Sequence, residues 1–305
     1  MRNVAAMLIL LVTVFAGAAL LAPLAWMAVA PGESEQGLGF LKFLKTHDDF
    51  HRYFSRCLLF LALIGLAIQC KLFGIKSWAA VGWAKFSGNG RRLGSGILLG
   101  LASLTGIAAL AVLFEVREFG PSHSLAEWTR HLMNALSAAL IVGILEETLF
   151  RGMFYGLLRR DLVWRWAALA SSCIYAGVHF LKQKPNIETV NWFTGFTAFP
   201  EFFPDFANDA FWPAHFLNLV LAGLILAGVY ERTGNIYFSI GIHAGWIFSI
   251  KTIDFITQSA VAEPSPFWGQ SRFMDGLGWV ATPLLGMIVW FIFRGGGPEP
   301  KKPSP

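Results

Sequence analysis

Long apolar runs separated by shorter polar segments dominate the pattern along this chain. A helix that crosses a bilayer needs about 20 mostly apolar residues. Eight segments are apolar enough and close to that length: 4–30, 57–75, 96–114, 133–158, 164–181, 216–230, 236–253 and 277–293. The pattern therefore predicts an all-α fold, a polytopic membrane bundle of about eight transmembrane helices.

The first of these segments allows two interpretations. Residues 27–30 before Pro31 look like a signal-peptide cleavage site, but the preceding apolar run is longer than the roughly 7–15 residues of a signal-peptide core. We expect an uncleaved helix. At the other end, the Pro- and Gly-rich residues 295–305 predict a disordered polar tail.

Composition agrees with the membrane assignment. The chain is 55% hydrophobic and 14% charged, whereas soluble domains carry about 25% charged residues. The net charge of +5 is spread over many loops, so we expect no nucleic-acid partner. The three cysteines form no CxxC pair and predict no disulfide framework.

Loop charges and the long connection after the fifth helix add two expectations. Eight helices place both termini on one side, and the loops on that side hold more Lys and Arg, so we expect cytoplasmic termini.

The connection 182–215 is rich in Phe, and we expect it to pack on the bundle or to lie in the interface, with a lid as an alternative.

Three charged residues lie close together inside the fourth predicted helix, in the run ILEETLFRG. Burying a charge in a membrane costs a few kcal/mol or more. Glu147 and Arg151 are one turn apart in the favourable order, so each offsets the charge of the other. Glu146 lies about 100° further round the helix, which leaves it as a spare carboxylate and a candidate general base.

Two other predicted helices carry a histidine in an apolar context. His179 lies in SSCIYAGVHF and His243 in SIGIHAGWIF. Ionisable groups in membrane helices usually face the bundle interior and contact one another. Glu146 and the two histidines are therefore candidates for one site that holds a water, either directly or through a metal ion.

The order and spacing of these residues resemble the CPBP family, which comprises the type 2 CAAX prenyl endopeptidases and their bacterial relatives, also called Abi proteins. The agreement covers about residues 137–250. It runs through three motifs, namely Glu146-Glu147-x-x-x-Arg151, Tyr175-x-x-x-His179 with Tyr where Phe is common, and an Arg232-Thr233-Gly234-Asn235 turn before His243. We accordingly expect N-terminal membrane helices over 1–130, a catalytic core over 131–294 and the tail over 295–305.

The resemblance implies an intramembrane glutamic endopeptidase that cleaves a membrane-associated or lipidated protein or peptide. Glu146 is then expected to activate a water, and His179 and His243 to assist it. Glu147 and Arg151 correspond to the supporting pair. Tyr175, one turn before His179, either orients that imidazole through its hydroxyl or packs against it.

One position departs from the family. The prenyl endopeptidases have an Asn four residues after the last His, thought to stabilise the oxyanion, and this chain has Ile247 there. Losing one oxyanion donor typically costs about 10²–10³ in rate. Asn218 or the indole N–H of Trp246 could substitute. The alternative is a non-proteolytic membrane protein of the same fold, a scaffold, regulatory or immunity-type factor.

Two further mechanisms are weighed against this one. One Glu and two His also resemble a zinc site, but no H-E-x-x-H spacing occurs, so we favour a metal-free glutamate mechanism with no cofactor. A proton-coupled transporter is disfavoured because the chain shows no internal repeat. The expected partners are the lipid bilayer and a membrane-associated substrate.

Overall fold

The computed structural model describes residues 2–29, 50–181, 189–203 and 211–260, together with residues 187, 209 and 267. This part of the chain is helical almost throughout. Its long helices are α1 (Arg2–Val29), α2 (Phe50–Leu72), α3 (Gly90–Leu113), α4 (Leu125–Leu158), α5 (Trp164–His179), α6 (Trp212–Thr233) and α7 (Tyr237–Ile256). The predicted all-α membrane bundle is confirmed, and the predicted helix over 277–293 and the tail lie outside the described residues.

Five of these helices, α1 to α4 and α6, are long and apolar enough to cross a membrane. Several begin before the predicted residue, because their first turns are amphipathic rather than apolar. In α4, Ser124 caps the helix and exchanges hydrogen bonds with Glu127 in a capping box. Polar capping residues of this kind are invisible to a search for apolar runs.

The described residues divide into two compact units. The first unit takes its residues from Met1–Gly74 and Gly177–Asp209, and the second from Ile75–Ala176 and Ala210–Pro305. This division rests on spatial compactness. The predicted boundaries at residues 130 and 294 rest on resemblance and stay a prediction.

In the first unit, α1 packs against α2 and against part of the Phe-rich connection. The ring of Phe202 is fully buried and stacks on Phe54 with 4.4 Å between ring centroids. Phe199 packs edge-on to Phe15 in α1. Phe193 and Phe196 remain exposed. The expected packing of this connection on the helices therefore holds for some of its phenylalanines.

In the second unit, α3 and α7 approach backbone to backbone along a seam of glycines. A Cβ atom on Gly96 or Gly100 of α3 would lie within 2.5 Å of a carbonyl oxygen of α7. Gly241 and Gly245 of α7 face α3 in the same way. Small residues four apart are the usual means of close helix packing in membranes. The seam sets the position of α7.

A short two-stranded sheet joins the far ends of α3 and α7. Strand β1 (Arg117–Phe119) pairs antiparallel with β2 (Thr257–Ser259). The buried Arg117 side chain donates to Thr257 and to Asp254. Burial lowers the pKa of the Arg117 guanidinium, and the Asp254 carboxylate opposes that shift. The sheet ties the end of α7 to the loop that precedes α4.

The glycine seam generates a prediction with a control in the same helix. Gly100→Ala should destabilise the protein by about 1–3 kcal/mol, because the added methyl group meets the Ile242 carbonyl oxygen at 2.4 Å. Gly106 has no neighbouring atom within 4 Å of a new Cβ, so Gly106→Ala should be neutral or stabilising by about 0.5–1 kcal/mol. The free energy of unfolding of both variants in detergent micelles checks this prediction. Equal changes in the two variants would contradict close packing of α3 and α7 at the glycine seam.

Candidate active site

The charged residues of α4 lie where that helix changes its geometry. Residues Thr148–Tyr155 form a π-helix that begins immediately after Glu147. π-helical turns are rare and often occur at functional sites. Arg151 lies within this segment, and its Nη1 donates to Glu147 Oε1 at 2.9 Å. The expected ion pair is present and fully buried.

The same carboxylate oxygen also binds a residue of another helix. His243 Nδ1 lies 2.8 Å from Glu147 Oε1, and both side chains are buried. A carboxylate paired with a guanidinium is ionised and can only accept hydrogen bonds. His243 Nδ1 therefore carries a proton and donates it to Glu147 Oε1. Glu147 thus orients His243 as well as neutralising Arg151.

Arg151 is enclosed by groups from two further helices. Its guanidinium carbon lies 4.8 Å from the centre of the Tyr175 ring in α5. Its Nη2 approaches the carbonyl oxygen of Gly223 in α6 at 3.4 Å. Tyr175 also meets His243 edge-on, with 6.2 Å between ring centroids. Tyr175 thus contacts the site through its ring, which packs on Arg151 and beside His243.

Glu146 faces the other nitrogen of His243. Its Oε2 lies 3.7 Å from His243 Nε2, too long for a direct hydrogen bond, and this oxygen atom is itself buried. The Glu146 side chain is 25% exposed, whereas that of Glu147 is completely buried. The two adjacent carboxylates therefore differ in environment, and only the Glu146 side chain has exposed surface.

This arrangement lies inside the segment that a known family shares. Residues 128–249 match the family model described as type II CAAX prenyl endopeptidase Rce1-like. Over this segment, which is less than half of the chain, the sequence is similar to the Rce1-like family. The match begins in the first turn of α4 and ends within α7, so the resemblance to CAAX-type membrane endopeptidases is confirmed. No curated protein and no solved structure matches the chain.

For two of the predicted site residues, His179 and Asn218, the structure does not test the predicted role. His179 is the last residue of α5, one turn beyond Tyr175, and is half-buried. It belongs to the first compact unit, whereas Glu146 and His243 belong to the second. Its approach to Glu146 stays a prediction. Asn218 is buried in α6, and its role as an oxyanion donor likewise stays a prediction.

Trp246, the other proposed substitute for the missing Asn, uses its indole N–H in a hydrogen bond with another helix. The indole N–H of Trp246 donates to Ser103 Oγ in α3 at 3.0 Å. Ile247 is half-buried on the next residue of α7, one turn after His243. The position that carries an amide in the prenyl endopeptidases thus carries an aliphatic side chain on the helix that also carries His243.

A short segment at Gly82 and Trp83, which the sequence did not indicate, contacts both the π-helix and the residue before α7. Trp83 Nε1 donates to Thr148 Oγ1 at the first residue of the π-helix, at 3.2 Å. One residue earlier, the carbonyl oxygen of Gly82 accepts the N–H of Ile236 at 3.1 Å, just before α7 begins. The sequence around Trp83 is a short aromatic run without periodicity, which gave no signal of this role.

The described residues also bear on whether this site could hold a metal ion. Within the part of the chain that the structure describes, no three or more His, Cys, Asp or Glu side chains come together as a group that could hold a metal ion. Glu147 is already bound by Arg151 and His243. A chelator experiment is therefore the direct way to decide between a metal-free and a zinc mechanism.

The unequal environments of the two carboxylates predict unequal effects on stability. Glu147→Gln removes the charge that neutralises buried Arg151 and should destabilise the protein by about 3–5 kcal/mol. Glu146→Gln replaces a carboxylate by an amide in the same way but at a partly exposed position. It should change the free energy of unfolding by less than about 1 kcal/mol. Denaturant unfolding of the two variants, side by side, measures the difference. A Glu146→Gln effect as large as that of Glu147→Gln would contradict the assignment.

Proposed function

We propose that this chain is an intramembrane endopeptidase that cleaves a membrane-associated or lipidated protein or peptide. The Rce1-like match supports protease activity of the CAAX type. The observation that carries the finer proposal is the pair of Glu146 Oε2 and His243 Nε2, 3.7 Å apart, with His243 oriented from behind by Glu147. A histidine oriented by a buried carboxylate is a recurring part of hydrolytic sites.

In this mechanism a water lies between Glu146 and His243. Glu146 takes a proton from the water, and the resulting hydroxide bonds to the carbonyl carbon of the substrate peptide. His243 Nε2 accepts the second hydrogen bond of that water and so aligns it. When the tetrahedral intermediate collapses, the C–N bond breaks and Glu146 returns its proton to the leaving nitrogen. One water is consumed and two peptides are released.

The remaining family residues complete this proposal. His179 is assigned to assist Glu146, as its position in the second motif implies. Asn218 is assigned to the oxyanion, because it is the proposed donor that remains once the indole N–H of Trp246 is bound to Ser103. The chain is an integral membrane protein, and we place its termini in the cytoplasm on the charge bias of its loops.

The first functional prediction concerns Glu146 and metal dependence. Glu146→Gln should abolish cleavage of a lipidated reporter peptide in reconstituted vesicles, because the amide cannot accept the proton of the attacking water. The folded state of this variant should be retained.

A strong chelator should leave the wild-type rate unchanged. Loss of activity on chelation with recovery on adding Zn²⁺ would instead establish a zinc mechanism.

A second prediction uses the departure from the family. Ile247→Asn places an amide donor one turn after His243, where the prenyl endopeptidases carry one. If hydrolysis is limited by oxyanion stabilisation, the reporter should be cleaved faster, by up to about 10²-fold. Ile247→Leu, which adds no donor, serves as the control and should leave the rate unchanged. A slower Ile247→Asn enzyme, folded as well as the wild type, would contradict this account of the oxyanion.

The second candidate function is a non-proteolytic scaffold or immunity-type membrane protein of the same fold. It is favoured by Ile247 at the donor position and by the engagement of Trp246 with Ser103. The two candidates differ in what they need from Glu146. A folded Glu146→Gln protein that keeps its full cellular phenotype would favour the scaffold, whereas loss of the phenotype would favour the peptidase.

A further inference from the structure

One end of the second compact unit gathers several helix ends. There α4 and α6 finish, and Arg159, the residue after α4, forms a salt bridge with Glu231 of α6 at 3.0 Å. At the same end α3 and α7 begin, and Gly96 packs on the backbone of Phe238. We call this the basic end, for the charges described next.

Exposed cations collect at this end although they are scattered along the sequence. They come from the segment before α3, the first turn of α3, the connection between α4 and α5 and the first turn of α5: Lys76, Lys85, Arg91, Arg92, Arg160 and Arg165. Among the described residues at this end, the acids are Asp161 and Glu231, both half-buried, and Glu231 is held by Arg159 and Tyr155. The exposed charge of this surface is therefore positive.

The opposite end of the same unit has a different balance. Its exposed charged side chains, in the described part of the chain, are of both signs: Glu115, Glu118, Glu127, Arg130, Lys251 and Asp254. Arg117, also at that end, is buried and forms an ion pair with the exposed Asp254. The positive surface is thus a property of one end and not of the unit as a whole.

Large aromatic side chains stand exposed among the cations. Trp78 is 68% exposed, Phe86 62% and Trp166 63%. Arg165 lies 5.6 Å from the ring of its neighbour Trp164. Trp side chains are enriched where a membrane protein meets the headgroup layer, since one part of the ring is apolar and the other can donate to polar groups. Exposed aromatics beside Lys and Arg therefore fit a lipid headgroup layer better than they fit bulk water.

We propose that the basic end binds anionic phospholipid headgroups in the leaflet that it faces. The guanidinium groups offer paired donors for phosphate oxygens, and the lysines add point charges. The aromatic rings anchor the same segments at headgroup depth. This attraction requires an anionic lipid, because a zwitterionic headgroup presents no net charge to a cationic surface. The proposal does not depend on the chain being a peptidase.

The test compares two double variants that remove equal charge from opposite ends. Lys85→Gln/Arg91→Gln neutralises the basic end, and Arg130→Gln/Lys251→Gln is the matched control, since all four residues are exposed. Each full-length protein is purified in detergent and titrated with phosphatidylglycerol or with phosphatidylcholine of the same acyl chains. Bound lipid and the unfolding midpoint are measured.

The wild type and the control should bind phosphatidylglycerol in preference to phosphatidylcholine and unfold at a higher temperature with it. Lys85→Gln/Arg91→Gln should bind phosphatidylglycerol about 30-fold more weakly, with phosphatidylcholine binding unchanged. If that variant does not fold, Lys76→Gln/Arg165→Gln provides the same comparison. Equal loss in the control, no loss in the basic-end variant, or reproduction of the stabilisation by inorganic phosphate alone would overturn the proposal.

Discussion

The shared hydrogen bonding of one carboxylate oxygen is the interaction on which the site depends. Glu147 Oε1 accepts from Arg151 within α4 and from His243 in α7. An unpaired charge at this depth would cost several kcal/mol, so the three side chains must come together for the second unit to be stable. Because His243 is a member of this buried group, its orientation is set by the fold before any substrate arrives.

The rest of the second unit can be understood as the support that this group requires. The glycine seam brings α7 against α3 and so determines how far His243 lies from α4. The π-helix places Arg151 where it reaches Glu147, Tyr175 and Gly223 together. On the far side, the segment at Gly82 and Trp83 contacts both the π-helix and the start of α7. This support keeps the two adjacent carboxylates in different environments, since Glu147 is held by Arg151 and His243 and the Glu146 side chain is partly exposed.

The sequence predicted the helices well, because apolar runs of membrane length have few alternatives. Helix ends were predicted less well, since the first turn of α4 depends on the cap at Ser124 and not on hydrophobicity. The ion pair of Glu147 and Arg151 followed from their spacing on one helix. The contact of Glu147 with His243 could not be predicted, because the two residues are 96 positions apart and their contact depends on how α4 and α7 pack.

The tautomer of His243 tests the central claim most directly. The protein is labelled with ¹⁵N-histidine, the His243 signals are assigned by comparison with His243→Gln, and the ring nitrogen shifts are measured near neutral pH. The account predicts a proton on Nδ1 and none on Nε2, in the wild type and equally in Glu146→Gln, since Glu147 holds Nδ1–H. A proton on Nε2 with Nδ1 unprotonated would contradict it, because Glu147 would then not orient His243 and Glu146 would not be the carboxylate left for water.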